Sequence, residues 1–460
     1  MMRHFAKLLM AMVVAAIVPL VANGYDFEEN GLFFNLNEDG KSVTLTYNVP
    51  ILIALDAPAL AKKGYIGDIV IPSKVTHNGK SYTVNAISEY AFSGNSELTS
   101  VTIPATVTSI GSRAFTQCSR LESVTLPPAL TEIKEFTFAE SGLNSITIPN
   151  KVKRIGQSAF NSCYLKSVSI PNSVTTIGKA AFSANRWMKE VKLGNSVTTI
   201  EEGAFSICCE LESINLPPSL IEIGSHAFNE CEALTSVTIP AAVSSIGNGA
   251  FSNCTGLKKL SVERGNKRYD SRGNCNAIIE TASNTLIVGC STSTVPQSVT
   301  TIGSEAFDGC EGQHIADLPT SVTVIADHAY FNCENIKSLS LPHSVTTIGS
   351  YAFVGCDSLE TVVIPNSVTT IDNCAFLHDA CIRSVIIGSG VTKIGAWAFK
   401  GLDAVQSIIS KIEDVTRVTM GEEVFDEIDT SACTLYVPKG TAHLYKAAKQ
   451  WQDFKNIVER

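Results

Sequence analysis

One hexapeptide pattern, Ile-x-x-x-Ala-Phe with small allowances, recurs thirteen times between Ile87–Phe92 and Ile394–Phe399. A chain that repeats itself in this way must be built as an array, because every copy is bound to make the same contacts as its neighbours. The aromatic position runs from Phe92 and Phe115 to Phe376 and Phe399, with Tyr330 once in place of Phe. Its spacing is 22 or 23 residues, apart from one gap of 56 between Phe251 and Phe307.

That period lies in the range of leucine-rich repeats. In the unit that starts at Cys118, Leu121-x-x-Val124-x-Leu126 reads as a short strand, and Pro127 ends it because proline cannot donate to a ladder. A single unit cannot bury its own apolar side, so neighbouring coils must stack and share one core, and an isolated repeat is expected to be unfolded. Stacking at about 4.8 Å per coil gives a length of roughly 60 to 70 Å. Twelve of the 20 phenylalanines sit on the repeating position, which predicts a stacked aromatic spine. Glycines after the Ile, as at Gly111, Gly156, Gly178 and Gly224, predict a left-handed or crowded backbone there. The expected fold is a β-rich repeat solenoid, a right-handed leucine-rich-repeat coil stack of 22–23-residue repeats with caps at both ends.

Hydrophobic residues at 45% against 17% charged exclude a disordered chain. Arg3 and Lys7, the apolar run from Leu8 to Val21 and the small residues Ala22-Asn-Gly24 read as a signal peptide cut before Tyr25. The run is short for a transmembrane helix. No cysteine precedes Cys118, so no lipid anchor on a cysteine after the signal is expected. Without Arg3 and Lys7, 33 basic residues face 44 acidic ones, a net charge of −11. Phosphate backbones select the opposite sign, so nucleic acid is excluded as a partner class.

Fourteen cysteines in an exported chain would ordinarily form disulfides. Eight of them, Cys118, Cys163, Cys208, Cys231, Cys254, Cys310, Cys333 and Cys356, instead lie three residues after the repeating aromatic. Equivalent rungs form a line and not a tetrahedron of ligands, so they are read as free, buried thiols and no metal is expected. Cys275 and Cys290 lie in the 33 extra residues of the long gap. A hairpin with a loop at Thr281–Asn284 would place Glu280 opposite Thr285, Ile279 opposite Leu286 and Cys275 opposite Cys290, which predicts a disulfide between the two thiols.

The strand Leu98-x-x-Val101-x-Ile103-Pro104, the Ser-Val-Thr-Thr-Ile-Gly segments at Ser173, Ser298 and Ser344, the Ser-Val-Thr-Thr-Ile-Asp version at Ser367 and the Ala-Phe-x-x-Cys closures resemble the BspA-like, treponemal-type leucine-rich repeat family over about residues 69–410. The insert around Tyr269–Glu280 resembles a hairpin variant of such arrays, and the tail from Leu435 resembles their closing segment. The resemblance implies a secreted or surface-exposed protein of a host-associated bacterium, several members being adhesins, and it supplies no catalytic residues. The organisation expected is a signal peptide at 1–24, an N-terminal β-rich cap at 25–68, repeats at 69–254, a repeat with a β-hairpin insertion at 255–301, repeats at 302–410 and a C-terminal cap at 411–460. In the last, Thr434–Pro438 reads as a strand and Thr441 to about Trp451 as a helix with Leu444, Ala447 and Ala448 inward. The apolar segment Ile51–Leu60 has no clear period and no assigned place.

The sequence holds no phosphate-binding loop, nucleophile elbow, His-Glu-x-x-His or Gly-x-Gly-x-x-Gly. His226 and His328 read as exposed turn residues, Glu201-Glu202 and Glu422-Glu423 as solvated turns. No cofactor and no enzymatic activity are expected. What remains is surface recognition. Residues flanking each inward Val or Ile face outward and form an uncharged, hydroxyl-rich surface that includes Thr125, Thr147, Ser169, Asn215 and Thr238. One coil breaks that pattern: Arg186, Trp187, Lys189, Glu190 and Lys192 replace hydroxyls by an aromatic and charges, and form the candidate hot spot. The function expected is adhesin-type binding of a protein or glycoprotein, against an envelope scaffold or an exported effector of one host protein. Ligand identity and oligomeric state are not readable.

Overall fold

The structure, a computed structural model, describes residues 24–47 and 65–460. Residues 1–23 of the expected signal peptide 1–24 and the apolar segment Ile51–Leu60 lie outside the described residues. The coils group into two compact units, one of residues up to Met188 with Lys192–Val197 and the other of Lys189–Val191 with Thr198–Arg460.

The first unit opens on an antiparallel meander, Phe27–Glu29, Leu32–Leu36 and Ser42–Thr46. Ser42–Thr46 then pairs in parallel with Lys80–Ile87, which pairs in parallel with the first repeat strand, Ser109–Ile110. Lys80–Ile87 thus joins the N-terminal sheet to the row that carries the repeating Ile and hands its hydrogen bonds to the array directly. Most coils add one strand to each of two rows. Gly67–Val70, Leu98–Thr102 and Ser123–Thr125 form the outer row, while Glu132–Ile133, Arg154–Ile155 and Thr176–Ile177 stack in register in the row that carries the repeating Ile. The expected strand around Ser145 and Thr147 does not form. Its turn, Phe138 to Leu143, is one residue shorter than Phe115 to Leu121, but the equally short turn Phe160 to Leu165 is followed by the strand Ser167–Ser169, so the turn length does not explain the loss.

In the second unit Ser338–Ser340, Thr361–Val363, Ser384–Ile387, Ser407–Ser410, Thr434–Val437 and Asn456–Glu459 make a parallel outer sheet. The Ile row runs from Thr285–Val288 through Lys393–Ile394 to Thr419–Met420, so the array extends one coil beyond residue 410. Phe425 closes that added coil, stacked on Phe399 at 6.0 Å. The expected hairpin forms with Ile279 opposite Leu286 and Glu280 opposite Thr285, and its second strand turns to pair in parallel with Thr301–Ile302. The insertion is thus an irregular coil inside the stack.

The disulfide is not made. A bulge between Ile278 and Ile279 sets Ile278 opposite Val288, and continuing that register brings Cys290 opposite Asn276. Cys290 Sγ accordingly donates to Asn276 O at 3.4 Å, Cys275 Sγ to Ala277 O at 3.6 Å, and both thiols are free.

The aromatic spine is present in both units, with ring centroids 4.8 to 5.4 Å apart from Phe92 to Phe160 and planes within 8°. In the first unit Tyr65 packs on Phe92, and in the second the buried Trp451 stands edge-on to Phe425. At the irregular coil, Gly289 takes the aromatic's place: its N–H donates to Ala306 O at 2.7 Å, and a Cβ there would lie 2.1 Å from the Phe307 ring. The glycines after Ile are there for close approach, a Cβ on Gly111 falling 2.2 Å from Glu89 N.

The eight ladder thiols are buried, and Cys118, Cys163, Cys231, Cys254, Cys333 and Cys356 donate to the carbonyl of the previous coil's aromatic, as Cys118 does to Phe92 O at 3.0 Å and Cys333 to Phe307 O at 3.0 Å. Asn185 fills the same position with an amide that reaches Phe160 O and Phe182 O, each at 2.8 Å. The rung selects a short hydrogen-bond donor, and cysteine is the donor that least resents burial.

Each coil also carries two left-handed residues, two before and two after the spine aromatic, from Tyr90 and Gly94 around Phe92 to Glu423 and Glu427 around Phe425. Most are not glycine. In the closing segment, Ala442–Ala447 is helical with Tyr445 inward, its hydroxyl bonded to Ser410 Oγ at 2.6 Å and donating to Ile412 O at 2.7 Å. The expected inward face was one residue out of phase: Ala447 is exposed, and Leu444 and Ala448 are half-buried.

Candidate functional site

Alternate residues of a strand face opposite sides, so each outer-row strand sends its central residue into the core and presents the two flanking ones to solvent. In the second unit the parallel register aligns these flanking residues into two columns. One is polar: Ser338, Thr361, Ser384, Ser407, Thr434 and Asn456. The other starts at Ser340 and continues as Val363, Ile386, Ile409, Tyr436 and Val458, five apolar side chains in one line. Val363 is 39% and Val458 45% exposed, and the three between are half-buried by one another.

The strip borders a cavity of about 500 Å³ lined by Ile386, Ile409 and Tyr436 together with Lys411, Glu413 and Arg460. The Arg460 guanidinium stands 6.0 Å from the centre of the Tyr436 ring. At the edge, the Ala442 N–H donates to the Glu459 carboxylate and holds it below the usual carboxylate range. The arrangement offers apolar contact with a rim of both charge signs. Among the described residues no group of His, Cys, Asp and Glu is placed to hold a metal ion, and no helix is long and apolar enough to cross a membrane.

Residues 59–189, 184–281 and 287–406 match the BspA type leucine-rich repeat region, a model of six copies. The chain belongs to the BspA-type leucine-rich repeat family. Its structure is similar to that of a leucine-rich cell surface protein from Faecalibacterium prausnitzii, at 27% identity and a TM-score of 0.57 over 84% of this chain and 94% of that one. A leucine-rich repeat protein from Bacteroides ovatus is similar at 25% identity and a TM-score of 0.52 over the same shares, 84% and 94%. The pneumococcal vaccine antigen PcpA shares the fold at 17% identity and a TM-score of 0.50 over 96% of this chain and the whole of that one. No functionally curated protein matches the sequence.

The BspA-type array distributes the candidate residues read from sequence along its outer row. Thr125 and Ser169 are exposed on Ser123–Thr125 and Ser167–Ser169, Asn215 is exposed just after Ser213–Ile214, and Thr238 Oγ1 shares a hydrogen bond with Ser261 Oγ at 2.9 Å. Thr147 is exposed but lies on the segment that leaves the ladder. Part of the hydroxyl face is satisfied within itself: Thr99 and Ser100 both donate to Asp68 at 2.7 Å and hold its carboxyl below the usual range.

Arg186, Trp187, Lys189, Glu190 and Lys192 are all exposed. Lys189 pairs with Glu210 at 3.7 Å, and Trp187 stacks on Tyr164, which sequence reasoning passed over. His226 and His328 are half-buried turn residues, His226 lying 3.4 Å from Glu305. The apolar strip was also missed, although a signal was present. Thr361-Val-Val-Ile, Ser384-Val-Ile-Ile and Thr434-Leu-Tyr-Val run three apolar residues together where the other strands alternate.

Proposed function

We propose that this BspA-type protein is an adhesin-type recognition module of the cell surface, exported by the signal peptide at 1–24, that binds a protein or glycoprotein partner through its outer strand face. The observation that carries the reading is the line Val363, Ile386, Ile409, Tyr436 and Val458 beside a polar column. An apolar centre with a polar, charge-bearing rim is the anatomy of a protein interface, and Tyr436 and Arg460 are residue types that concentrate binding energy. Thr125, Thr147, Ser169, Asn215 and Thr238 on the hydroxyl face are separate candidate contacts, as are Arg186, Trp187, Lys189, Glu190 and Lys192. The relative from F. prausnitzii, described as a cell surface protein, supports the location.

The test is binding of the purified protein to immobilised host matrix and epithelial glycoproteins, beside an Ile386→Lys, Tyr436→Ala variant and a Thr125→Lys, Thr147→Lys, Ser169→Lys variant. Saturable binding that the first variant loses, with unchanged thermal unfolding, supports the strip. Loss only in the second moves the contact to the hydroxyl face. No binding to any surface replaces the adhesin reading by an envelope scaffold.

A further inference from the structure

In the second unit the row of turns skips the irregular coil. The Asn253 N–H donates to Asp308 O at 3.0 Å, so the turn after Phe251 is seated on the turn after Phe307, although the two residues are 55 apart in the chain. Elsewhere the same bond joins consecutive coils, as from Gln117 N to Ala139 O and from Asn332 N to Val354 O, each at 2.8 Å.

Two acids stand at this contact. The position after the aromatic is neutral in the preceding coils, at Ser183, Ser206, Asn229 and Ser252, and becomes Asp308. One Asp308 oxygen accepts from Asn253 Nδ2 at 3.2 Å, and the other is buried without a partner among the described residues. Two residues before the aromatic, His226, Gly249 and Glu305 follow one another in the row. A Cβ on Gly249 would collide with both neighbours, so the glycine lets His226 Nδ1 come within 3.4 Å of Glu305 Oε2. The same oxygen accepts from Ser252 Oγ at 3.4 Å.

The groups that face Asp308 are Glu230 from the coil of Phe228, Glu305 from its own coil, and the thiols of Cys254, Cys310 and Cys333. Burial pushes Cys254 up to about 12 and raises the other two well above their ordinary value, so the thiols stay uncharged. Asp327 of the following coil turns its carboxylate to the Ser350 N–H at 2.8 Å. Three carboxylates thus share one contact, and His226 is the one cation among the groups named. Burial, followed by the charge of Glu305, pushes Asp308 up to about 7, against the hydrogen bonds from Ser252 and Asn253. The closed contact therefore favours the protonated acid. Stability from this group is complete below the ordinary carboxylate value of about 3.9 and is lost as pH rises through the folded value. An imidazolium gives up its charge in the upper part of that range, so the attraction between His226 and Glu305 fades in the same direction.

We infer that the contact of Ser252 and Asn253 with Glu305 and Asp308 is a pH-sensitive joint, closed in acid and loosened toward neutral pH, which leaves the irregular coil to link the stretches on either side of it. The joint uses no residue of the apolar strip and stands independently of the binding reading.

The experiment is native-state hydrogen exchange from pH 5 to pH 8, corrected for intrinsic exchange, read at the Asn253 amide and at the equivalent Asn332 amide as an internal control. Protection at Asn253 should fall by at least about tenfold across that range while Asn332 stays within about threefold. Asp308→Asn keeps the shape of the protonated acid and should hold Asn253 protection constant. Asp308→Ser, the residue that the preceding coil carries at that place, should do the same and checks the result in a second background. Constant protection at Asn253 in the parent overturns the joint. So does a pH dependence that Asn332 shares, which marks unfolding of the whole array, or one that survives both Asp308 variants.

Discussion

Asp379 accepts a hydrogen bond from the Cys356 N–H at 3.0 Å through one carboxyl oxygen, while the other oxygen is buried without a partner. It occupies the rung where Cys333 and Cys356 donate to the previous coil's aromatic carbonyl. A carboxylate has no proton to donate there, and burial raises its pKa well above the usual range, followed by the charge of Asp357. The folded state therefore holds the proton more tightly than the unfolded chain does. Stability from this group is complete below the ordinary carboxylate pKa and is lost as pH rises through the raised folded value. Asp379→Asn supplies the missing N–H, as Asn185 does in its own coil, and should stabilise the protein at neutral pH by about 1–3 kcal/mol. Thermal unfolding at pH 5 and pH 8 checks this: the variant should gain most at the higher pH, and a variant no more stable than the parent at pH 8 refutes it.

Ile207 sits two residues after Phe205 at a φ of 61°. A β-branched residue resists that region by about 1–2 kcal/mol, whereas Asn visits it readily. Asn253 and Asn332 hold the same place in other coils at 55°. Ile207→Asn is expected to raise the denaturation midpoint, by about 0.5–1 kcal/mol after the lost apolar contact of a half-buried side chain. The reverse change, Asn332→Val, should lower it.

Cysteine chemistry should divide sharply by position. Burial pushes the Cys118 thiol up to about 12 and the Cys163 thiol to about 11, and Cys333 is raised well above its ordinary value. Thiolate is the reactive form, so these residues should resist iodoacetamide in the native protein while the exposed Cys381 is alkylated. After denaturation without reductant all fourteen thiols should react, Cys275 and Cys290 included. Peptide mass mapping gives both results, and a disulfide-linked peptide containing Cys275 and Cys290 would contradict the observed register.

Phe353 is fully buried between Tyr330 at 5.3 Å and Phe376 at 5.2 Å. Phe353→Ala opens a cavity flanked by two rings and should cost about 3–5 kcal/mol. Phe353→Tyr is expected to cost less, because Tyr330 already serves in the spine with its hydroxyl donating to Ile315 O. Urea unfolding of both variants ranks them.

The period of the Phe ladder was enough to predict the coil, the outer strand, the stacked rings and the buried thiols, because each of these repeats and a repeated environment leaves a repeated residue; the second row of strands at the repeating Ile was not predicted. What escaped was local. The bulge at Ile278 slides Cys290 to Asn276, and nothing in a hairpin's loop length announces a bulge. The tail helix has its buried Tyr445 one position from the expected Leu444, a phase error that a six-residue helix cannot correct from its own pattern. The left-handed pairs were invisible because residues as unlike as Trp397, Cys374 and Glu305 adopt them. The strip through Ile386 and Tyr436 is legible as runs of three apolar residues, against a background of strands such as Ser123–Thr125 and Ser338–Ser340 that carry a hydroxyl at the same place.

Those left-handed pairs have a consequence for how the chain must be assembled. Residues with no preference for that conformation cannot find it alone, so each turn has to be cast against the one already formed, as Phe115 N donates to Thr137 O and Phe138 N to Ala159 O. Folding of such a chain proceeds as the growth of a crystal edge does: a seed of a few finished coils is the costly step, and every later coil is copied from its neighbour at the open end.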